Sequence, residues 1–205
     1  MARDTHSIVK MSRREGYALH PKAHKALAKR TAKPGANANS KLRSKPSQYA
    51  LQLREKQKVK RLYGLLEKQF SNMMAEADRI PGSSGVNLLT NLERRLDNAI
   101  YRAGFATSRR AARQLVTHGH FMLNDRRVDI PSIRLKIGDS LVIRDHSKNS
   151  EYFKKLDDVS PAPSTVPSWI SVDRKKYSVK ITNLPVRDDA EPEINEQLIV
   201  EYYSR

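Results

Sequence analysis

The chain has 205 residues, with 39 Lys and Arg against 22 Asp and Glu, no cysteine and a formal net charge of +17. The absence of cysteine excludes disulfides, cysteine-ligated zinc, iron–sulfur clusters and thiol nucleophiles. No apolar run reaches the ~18–20 residues that cross a bilayer, and no apolar segment follows the first residues. We therefore expect an intracellular, polyanion-binding protein with neither a membrane span nor a secretory signal.

The positive charge is concentrated towards the N-terminus. Residues 1–60 contain 16 Lys and Arg against three acidic residues, whereas residues 161–205 carry a charge of −1. A basic helix that binds a membrane surface needs a wide apolar stripe opposite its charged face, and residues 1–45 lack one. The charge asymmetry therefore favours nucleic acid as the partner.

Residues 1–46 are predicted to form an irregular basic arm. Their apolar residues are scattered, and the turn-rich stretch 33–40 has neither helical nor strand periodicity. A segment this polar buries too little apolar surface to order itself, so we expect it to fold mainly against its partner.

Ser47 is a plausible N-cap for a long helix that reaches about Tyr63. Apolar residues spaced three and four apart continue beyond Gly64 as far as Ala77, which indicates further helix after a bend.

Two more helices are expected downstream. One covers about 86–103 and ends at Gly104, which is suited to the left-handed conformation after a helix. The next, capped by Thr107 or Ser108, covers about 109–118. Its first two turns carry three arginines, although the helix dipole favours acids there, and this arrangement suggests a phosphate ligand.

The apolar pattern then changes to the period of two that is typical of strands. We expect a hairpin at 121–128, strands at 133–137 and 141–143, a proline-rich linker at 157–168, and short strands within 169–181. The hairpin turn Asn124-Asp125 lacks the preferred Asn-Gly pair. Residues 194–203 fit a strand or a helix equally well.

No constellation in the chain indicates catalysis or a metal. His20 and His24 are four residues apart but lack the third and fourth ligands that zinc requires. The stretch 82–85 lacks the spacing and the Lys of a P-loop, and no serine lies in a nucleophile elbow. We therefore predict no catalytic residue, no cofactor, no metal and no small-molecule substrate.

Several ordered motifs together resemble one family. They are Ser12-Arg13-Arg14-Glu15-Gly16, the run from Gln48 to Gly64 (QYALQLREKQKVKRLYG), Leu88-Leu89, Arg94-Arg95-Leu96-Asp97-Asn98, Tyr101-Arg102-Ala103-Gly104-Phe105-Ala106, Arg110, Ala112-Arg113-Gln114-Leu115-Val116, and Ile194-Asn195-Glu196-Gln197-Leu198-Ile199-Val200-Glu201. The chain is thus similar, over nearly its whole length, to the bacterial-type family of small-subunit ribosomal protein four.

The resemblance implies an α+β fold with three parts. These are a basic N-terminal arm at 1–46, a helical domain at 47–93 joined by the C-terminal segment 160–205, and an alpha-L RNA-binding domain of two helices and a small antiparallel sheet at 94–157. The implied function is structural. Members bind small-subunit (16S-type) rRNA early and directly and nucleate assembly of the 5′ domain and body.

The resemblance also implies partners and a location. Family members lie beside small-subunit protein five, on the side where mRNA enters, and some repress translation of their own messenger. We expect a cytoplasmic ribosome rather than an organelle ribosome, and no membrane partner.

This chain departs from the family pattern in its arm. Many members carry zinc-binding cysteines there, whereas Val9 and Ser12 stand at the places of the first pair. We therefore expect the arm to order itself against rRNA without zinc. The family's Pro-Gly-Gln-His-Gly turn reads Pro34-Gly35-Ala36-Asn37-Ala38 here.

Structured RNA offers phosphates and 2′-hydroxyls more readily than base edges, so its binders are arginine-rich. With 6% aromatic residues, the chain suits phosphate contacts better than base stacking. The predicted RNA contacts are Arg3, Lys10, Arg13, Arg14, Arg54, Lys58, Arg61, Arg94, Arg95, Arg109, Arg110, Arg113, Gln114 and His118.

Two alternatives remain open on sequence grounds. An RNA-modifying enzyme can carry the alpha-L motif, but it would need a catalytic domain that these residues do not supply. A regulator that binds messenger RNA would use the same surface as a ribosomal protein, and sequence does not separate the two.

Overall fold

The structure is a computed structural model that describes residues 4–30, 32–35 and 45–204. Its helices are α1 (Ile8–Glu15), α2 (Pro21–Lys29), α3 (Gln48–Leu62), α4 (Glu67–Ala77), α5 (Ser84–Glu93), α6 (Leu96–Arg102), α7 (Arg109–Thr117), α8 (Asp145–Lys148), α9 (Glu151–Lys154), α10 (Leu156–Val159) and α11 (Glu196–Tyr203), with a 3-10 turn at Arg187–Asp189. Its strands are β1 (Phe121–Leu123), β2 (Arg126–Val128), β3 (Ser140–Ile143), β4 (Ile170–Asp173) and β5 (Ser178–Ile181). The mixture of helices and one antiparallel sheet confirms the predicted α+β class.

The chain divides into two compact units, one of residues 1–88 with 193–205 and the other of residues 89–192. The sheet of the second unit has the order β2-β1-β3-β5-β4, and every pairing in it is antiparallel. We had expected the whole of 160–205 to join the helical unit. Because β5 pairs with β3, the strands within 160–205 belong to the second unit instead. Only the stretch from 193 onward joins the helical unit, where α11 packs on α3.

The expectation of an irregular arm is wrong for 8–29, which form α1 and α2. α1 buries Met11 and Ser12, α2 buries Ala23, and the two helices pack on each other. A small apolar contact and local capping are therefore enough to form these two helices, where the composition suggested an irregular segment. In the turn at Pro34–Ala38, the stretch 36–38 lies outside the described residues.

The next helix follows the prediction, because its end signals are local. The Ser47 hydroxyl accepts a hydrogen bond from the backbone N–H of Ala50 at 3.2 Å and so caps α3. Gly64, at φ +66°, bends the chain before α4. α11 settles the open choice at 194–203 in favour of a helix.

The helix predicted at 86–103 is interrupted at Arg95, whose backbone is extended with ψ 139°. The interruption comes from pairing with a distant segment. Leu96 donates its N–H to the carbonyl of Ile133, and Leu135 donates to that of Arg94. The same pairing explains why the predicted strand at 133–137 is absent from the sheet and leaves only a bridge from Arg95 to Arg134.

The hairpin and the helix that follows Gly104 match the prediction. Asn124 and Asp125 adopt φ values of +47° and +63°, as a tight two-residue turn requires. The core of the second unit lies between α6, α7 and the sheet. Its largest fully buried side chains are Trp169, Phe105, Phe121 and Phe153.

Candidate nucleic-acid interface

Helix α7 presents one polar, solvent-exposed face. Arg110, Gln114 and the C-capping His118 are exposed and spaced by four residues, so they lie about one turn apart along one side. Ala112 and Val116 are fully buried on the other side of the helix. Ser108 fixes the beginning of the helix by accepting a hydrogen bond from the N–H of Ala111 at 3.2 Å.

The β1–β2 hairpin carries two exposed arginines, and Arg127 lies at this end of α7. The adjacent Arg126 points to the opposite face of the strand. A Cβ on Gly119 would lie 2.7 Å from Nε of Arg127, so the guanidinium covers the glycine that ends the helix. Arg144 donates to the carbonyl of the same glycine at 3.2 Å. We call the set Arg110, Gln114, His118 and Arg127 the α7–hairpin face.

Sequence reasoning missed Arg127. The available signal was the position of two consecutive arginines directly after a predicted hairpin turn, at the edge of the sheet. A β2 edge strand with charged residues is also protected from pairing with other chains.

The ring of His120 lies 5.9 Å from that of His118, but it points into the fold. Its Nδ1 is 3.0 Å from the Ser147 hydroxyl, and its ring packs edge-on against Phe153. Burial lowers the pKa of His120, and the neighbouring His118 and Arg144 lower it further. This histidine is therefore harder to protonate than an exposed one.

Arg109 and Arg113, which we expected to bind RNA, are engaged within the second unit. Arg109 donates to the amide oxygen of Asn98 at 2.8 Å and to Glu191 at 3.0 Å, and its guanidinium lies over Tyr101. The guanidinium of Arg113 lies 3.8 Å from Asp97. Arginines at the beginning of α7 interact unfavourably with the helix dipole. Carboxylates from other elements offset this cost, so a phosphate is not needed to offset it.

Arg94 and Arg95 are also turned inward. Arg95 is buried and forms a two-pronged pair with Asp97, at 3.1 and 2.9 Å. Arg94 is half-buried and donates to the carbonyl of Leu135. Both residues hold the break between α5 and α6, and their contact with RNA stays a prediction.

The three cations predicted on α3 serve the helical unit itself. Arg54 and Arg61 both donate to Oε1 of Glu15, whose side chain is completely buried. Lys58 pairs with Glu55 at 2.8 Å and donates to the carbonyl of Glu193. All three cations of α3 thus form ion pairs within the unit, and the pair of Lys58 with Glu55 lies within the helix itself.

The predicted arm contacts divide into three groups. Lys10 and Arg14 are exposed on α1. Arg13 is half-buried and donates to the carbonyl of Ala32 at 2.9 Å. Arg3 lies outside the described residues.

The N-terminal segment does not fit a zinc site. In the part of the chain that the structure describes, no group of three or more His, Cys, Asp or Glu residues is placed to hold a metal ion. Ser12, at a position where many members of the resembled family carry cysteine, is buried; its hydroxyl donates to the carbonyl of Ile8 and accepts from the N–H of Leu19. His20 caps α2 through its Nδ1, and His24 is exposed.

The described part of this segment thus makes contacts within the chain, and its ordering by rRNA stays a prediction. Among the described helices, none is long and apolar enough to cross a membrane.

Comparison with known proteins agrees with this architecture. Residues 3–93 match the family described as "Ribosomal protein S4/S9 N-terminal domain", and residues 94–141 match the S4 domain. The chain is 46% identical to small ribosomal subunit protein uS4 of Roseiflexus castenholzii and of Clostridioides difficile, and 48% identical to that of Chlorobaculum tepidum. All three alignments cover the whole of both proteins.

The S4 domain together with the ribosomal N-terminal domain, matched over the full length of small-subunit proteins, defines a structural ribosomal protein and not an enzyme. The chain belongs to the uS4 family of small-subunit ribosomal proteins, in a cysteine-less form.

Proposed function

We propose that this chain binds small-subunit (16S-type) rRNA directly, at a multi-helix junction of the 5′ domain, and nucleates assembly of that domain and of the body. The observation that carries the proposal is the α7–hairpin face. Two arginines, a glutamine and a histidine are exposed there, on a helix and on the hairpin at its end.

The chemistry of the face suits phosphates and 2′-hydroxyls. Guanidinium groups bind phosphate in a forked geometry, and the glutamine amide both donates to and accepts from a hydroxyl. The face contains no Phe, Tyr or Trp, so base stacking adds little. Recognition by shape and charge is how folded RNA is commonly bound.

The proposal extends to place and partners. It puts the protein in the cytoplasmic ribosome, on the side where mRNA enters, next to small-subunit protein five. Repression of its own messenger, if present, would use the same face, because a folded messenger offers the same backbone chemistry. Sedimentation separates the roles: a subunit protein travels with the small particle, and a dedicated regulator stays at the top of the gradient.

The experiment is a binding titration of a 5′-domain rRNA transcript over a series of salt concentrations. The variant Arg110→Gln/Arg127→Gln removes two cations from the α7–hairpin face. The control Lys154→Gln/Lys155→Gln removes two exposed cations elsewhere in the same unit. We expect the first variant to reduce the log–log salt slope by roughly one to two, and the control to leave it unchanged. Equal slopes for both variants would refute the assignment of the face.

A further inference from the structure

We propose that Asn98 is a positioning residue for RNA binding. It fixes the rotation of α7 about its own axis and so sets the direction in which the α7–hairpin face points. This inference rests on the proposed function, because it takes that face to bind RNA. It concerns a buried side chain that the face does not contain, at the end of the motif Arg94-Arg95-Leu96-Asp97-Asn98.

The amide of Asn98 joins the end of α5 to the beginning of α7. Its nitrogen Nδ2 donates to the backbone carbonyl of Glu93 at 3.0 Å and to the carboxylate of the same residue at 2.8 Å. Its oxygen Oδ1 accepts from Nε of Arg109 at 2.8 Å. Carbonyl and carboxylate oxygens only accept and a guanidinium only donates, so these partners fit a single orientation of the amide. Asn98 therefore ties the first residue of α7 to α5 in one fixed geometry.

The carboxylate that holds Asn98 is itself fixed. The side chain of Glu93 is completely buried and accepts two hydrogen bonds from Arg102, at 3.0 and 2.9 Å. Two-pronged bonds between a guanidinium and a carboxylate restrict geometry as well as adding energy. The carboxylate of Glu93 therefore has little freedom to move, and neither does the amide bound to it.

A second contact lies one turn further along α7. The guanidinium of Arg113 lies 3.8 Å from the carboxylate of Asp97, the residue before Asn98. Arg95 in turn holds that carboxylate with two hydrogen bonds. Because Arg109 and Arg113 are four residues apart, they lie on one side of α7. The two contacts together define which side of α7 is turned towards α6.

The apolar contacts of α7 do not define this rotation by themselves. Its fully buried residues, Ala112 and Val116, are small, and the attraction between apolar groups is non-directional. Hydrogen bonds, in contrast, weaken steeply when their angles change. The polar contacts with α6 are therefore the ones that resist a rotation of the helix.

The rotation matters because exposed residues of the face directly follow the residues that are held. Arg110 follows Arg109, Gln114 follows Arg113, and each step turns about 100° around the axis. A rotation of α7 by about 20° would move groups that lie about 6 Å from its axis by roughly 2 Å, which is enough to break a hydrogen bond to a phosphate. A face whose direction is already set loses less conformational entropy when it binds.

The first test separates positioning from stability by two substitutions at the same site. Asn98→Leu keeps the approximate size of the side chain and removes its hydrogen bonds to both Arg109 and Glu93. Asn98→Asp keeps an oxygen that accepts from Arg109, but it removes the donor to Glu93 and brings two carboxylates together. Urea unfolding should show both variants to be destabilised, and Asn98→Asp at least as much as Asn98→Leu.

RNA affinity, measured where each variant is folded, should not follow the order of stability. We expect Asn98→Leu to bind the 5′-domain transcript at least about fivefold more weakly with an unchanged log–log salt slope, because the complex contains the same phosphate contacts. Asn98→Asp should bind within about threefold of its control Asn149→Asp, which adds the same charge at an exposed position of the same unit. Affinity that follows stability in both variants, full affinity of Asn98→Leu, or a slope lowered by about one would overturn the proposal.

The second test measures hydrogen exchange of backbone amides in the free protein. We expect Asn98→Leu to accelerate exchange in α7 at least about tenfold more than in β3 and β5 of the same unit. Equal acceleration in the helix and the strands would show a general loss of stability and would refute a positioning role. Failure of the unsubstituted protein to bind the transcript would refute the proposed function instead, and hydrogen exchange would still decide whether Asn98 holds α7.

Discussion

The carboxylate of Glu15 is completely buried and accepts a hydrogen bond from Arg61, 46 residues further along the chain. Arg54 donates to the same oxygen, at 3.2 Å. Burial raises the pKa of Glu15, although both arginines act to lower it. The cost of removing this charge from water is thus not fully recovered by the two ion pairs, and the pairs serve to fix α1 on α3.

Removal of one partner should therefore cost more than removal of the whole cluster. We expect Arg61→Met to lower the free energy of unfolding by about 3 kcal/mol, because it leaves a buried carboxylate with a single partner. The triple variant Glu15→Leu/Arg54→Met/Arg61→Met should be clearly less destabilised. Urea unfolding of both variants measures the difference, and a triple variant less stable than the single one would contradict this account.

Arg109 and Arg110 are adjacent but should give opposite results. Arg109→Ala is expected to lower the free energy of unfolding by about 2 kcal/mol, because it leaves Asn98 and Glu191 without their buried donor. It should leave the RNA salt slope nearly unchanged. Arg110→Ala should lower the free energy of unfolding less than Arg109→Ala, because Arg110 is exposed, and should lower the salt slope by roughly one. Denaturation and binding titrations on the same preparations check both; the reverse pattern would place Arg109 in the interface.

The hairpin turn offers a stabilising substitution. Asp125 has φ +63°, a conformation that glycine adopts without steric cost. We expect Asp125→Gly to raise the free energy of unfolding by about 0.5 kcal/mol, whereas Asp129→Gly, outside the turn, should lower it. Thermal unfolding of the two variants is the measurement. A loss of stability at position 125 would show that the aspartate side chain contributes more than its backbone conformation costs.

Glu67 makes the helical unit sensitive to acid. Burial acts to raise its pKa, but hydrogen bonds from Lys56, Lys60 and Tyr203 outweigh that effect and lower the pKa from 4.5 to about 2. A depressed pKa in the folded state contributes stability that is complete above about pH 4.5 and is lost as the pH falls through about 2.

We therefore expect the melting temperature of Glu67→Gln to depend less on pH between 5 and 2 than that of the unsubstituted protein. Asp78→Asn removes an exposed carboxylate of the same unit and serves as the control. Parallel pH profiles for Glu67→Gln and the unsubstituted protein would show that the cluster of Glu67 with the two lysines contributes nothing.

The features that sequence predicted well depend on local chemistry. Ser47 and Ser108 cap helices through hydrogen bonds to residues three positions away, and the hairpin turn needs only two residues. The break at Arg95 was missed because it depends on pairing with a segment about 40 residues away. α1 and α2 were missed because each buries only one or two side chains.

The contact residues were harder to predict for the same reason. A basic helix face is described equally well by RNA binding and by internal pairing, and the acid with which Arg54 and Arg61 pair lies 39 and 46 residues away in sequence. Of the predicted contacts on α7, Arg110, Gln114 and His118 are exposed, and only the folded hairpin brings Arg127 to the end of their helix.

Nuclease footprinting of the purified protein on isolated small-subunit rRNA, with no other protein present, tests the central claim most directly. We expect protection that is concentrated in the 5′ domain, appears at low ionic strength and fades as salt is raised. Protection spread evenly over the rRNA, or none at any salt concentration, would contradict the conclusion that this protein is a direct binder of that domain.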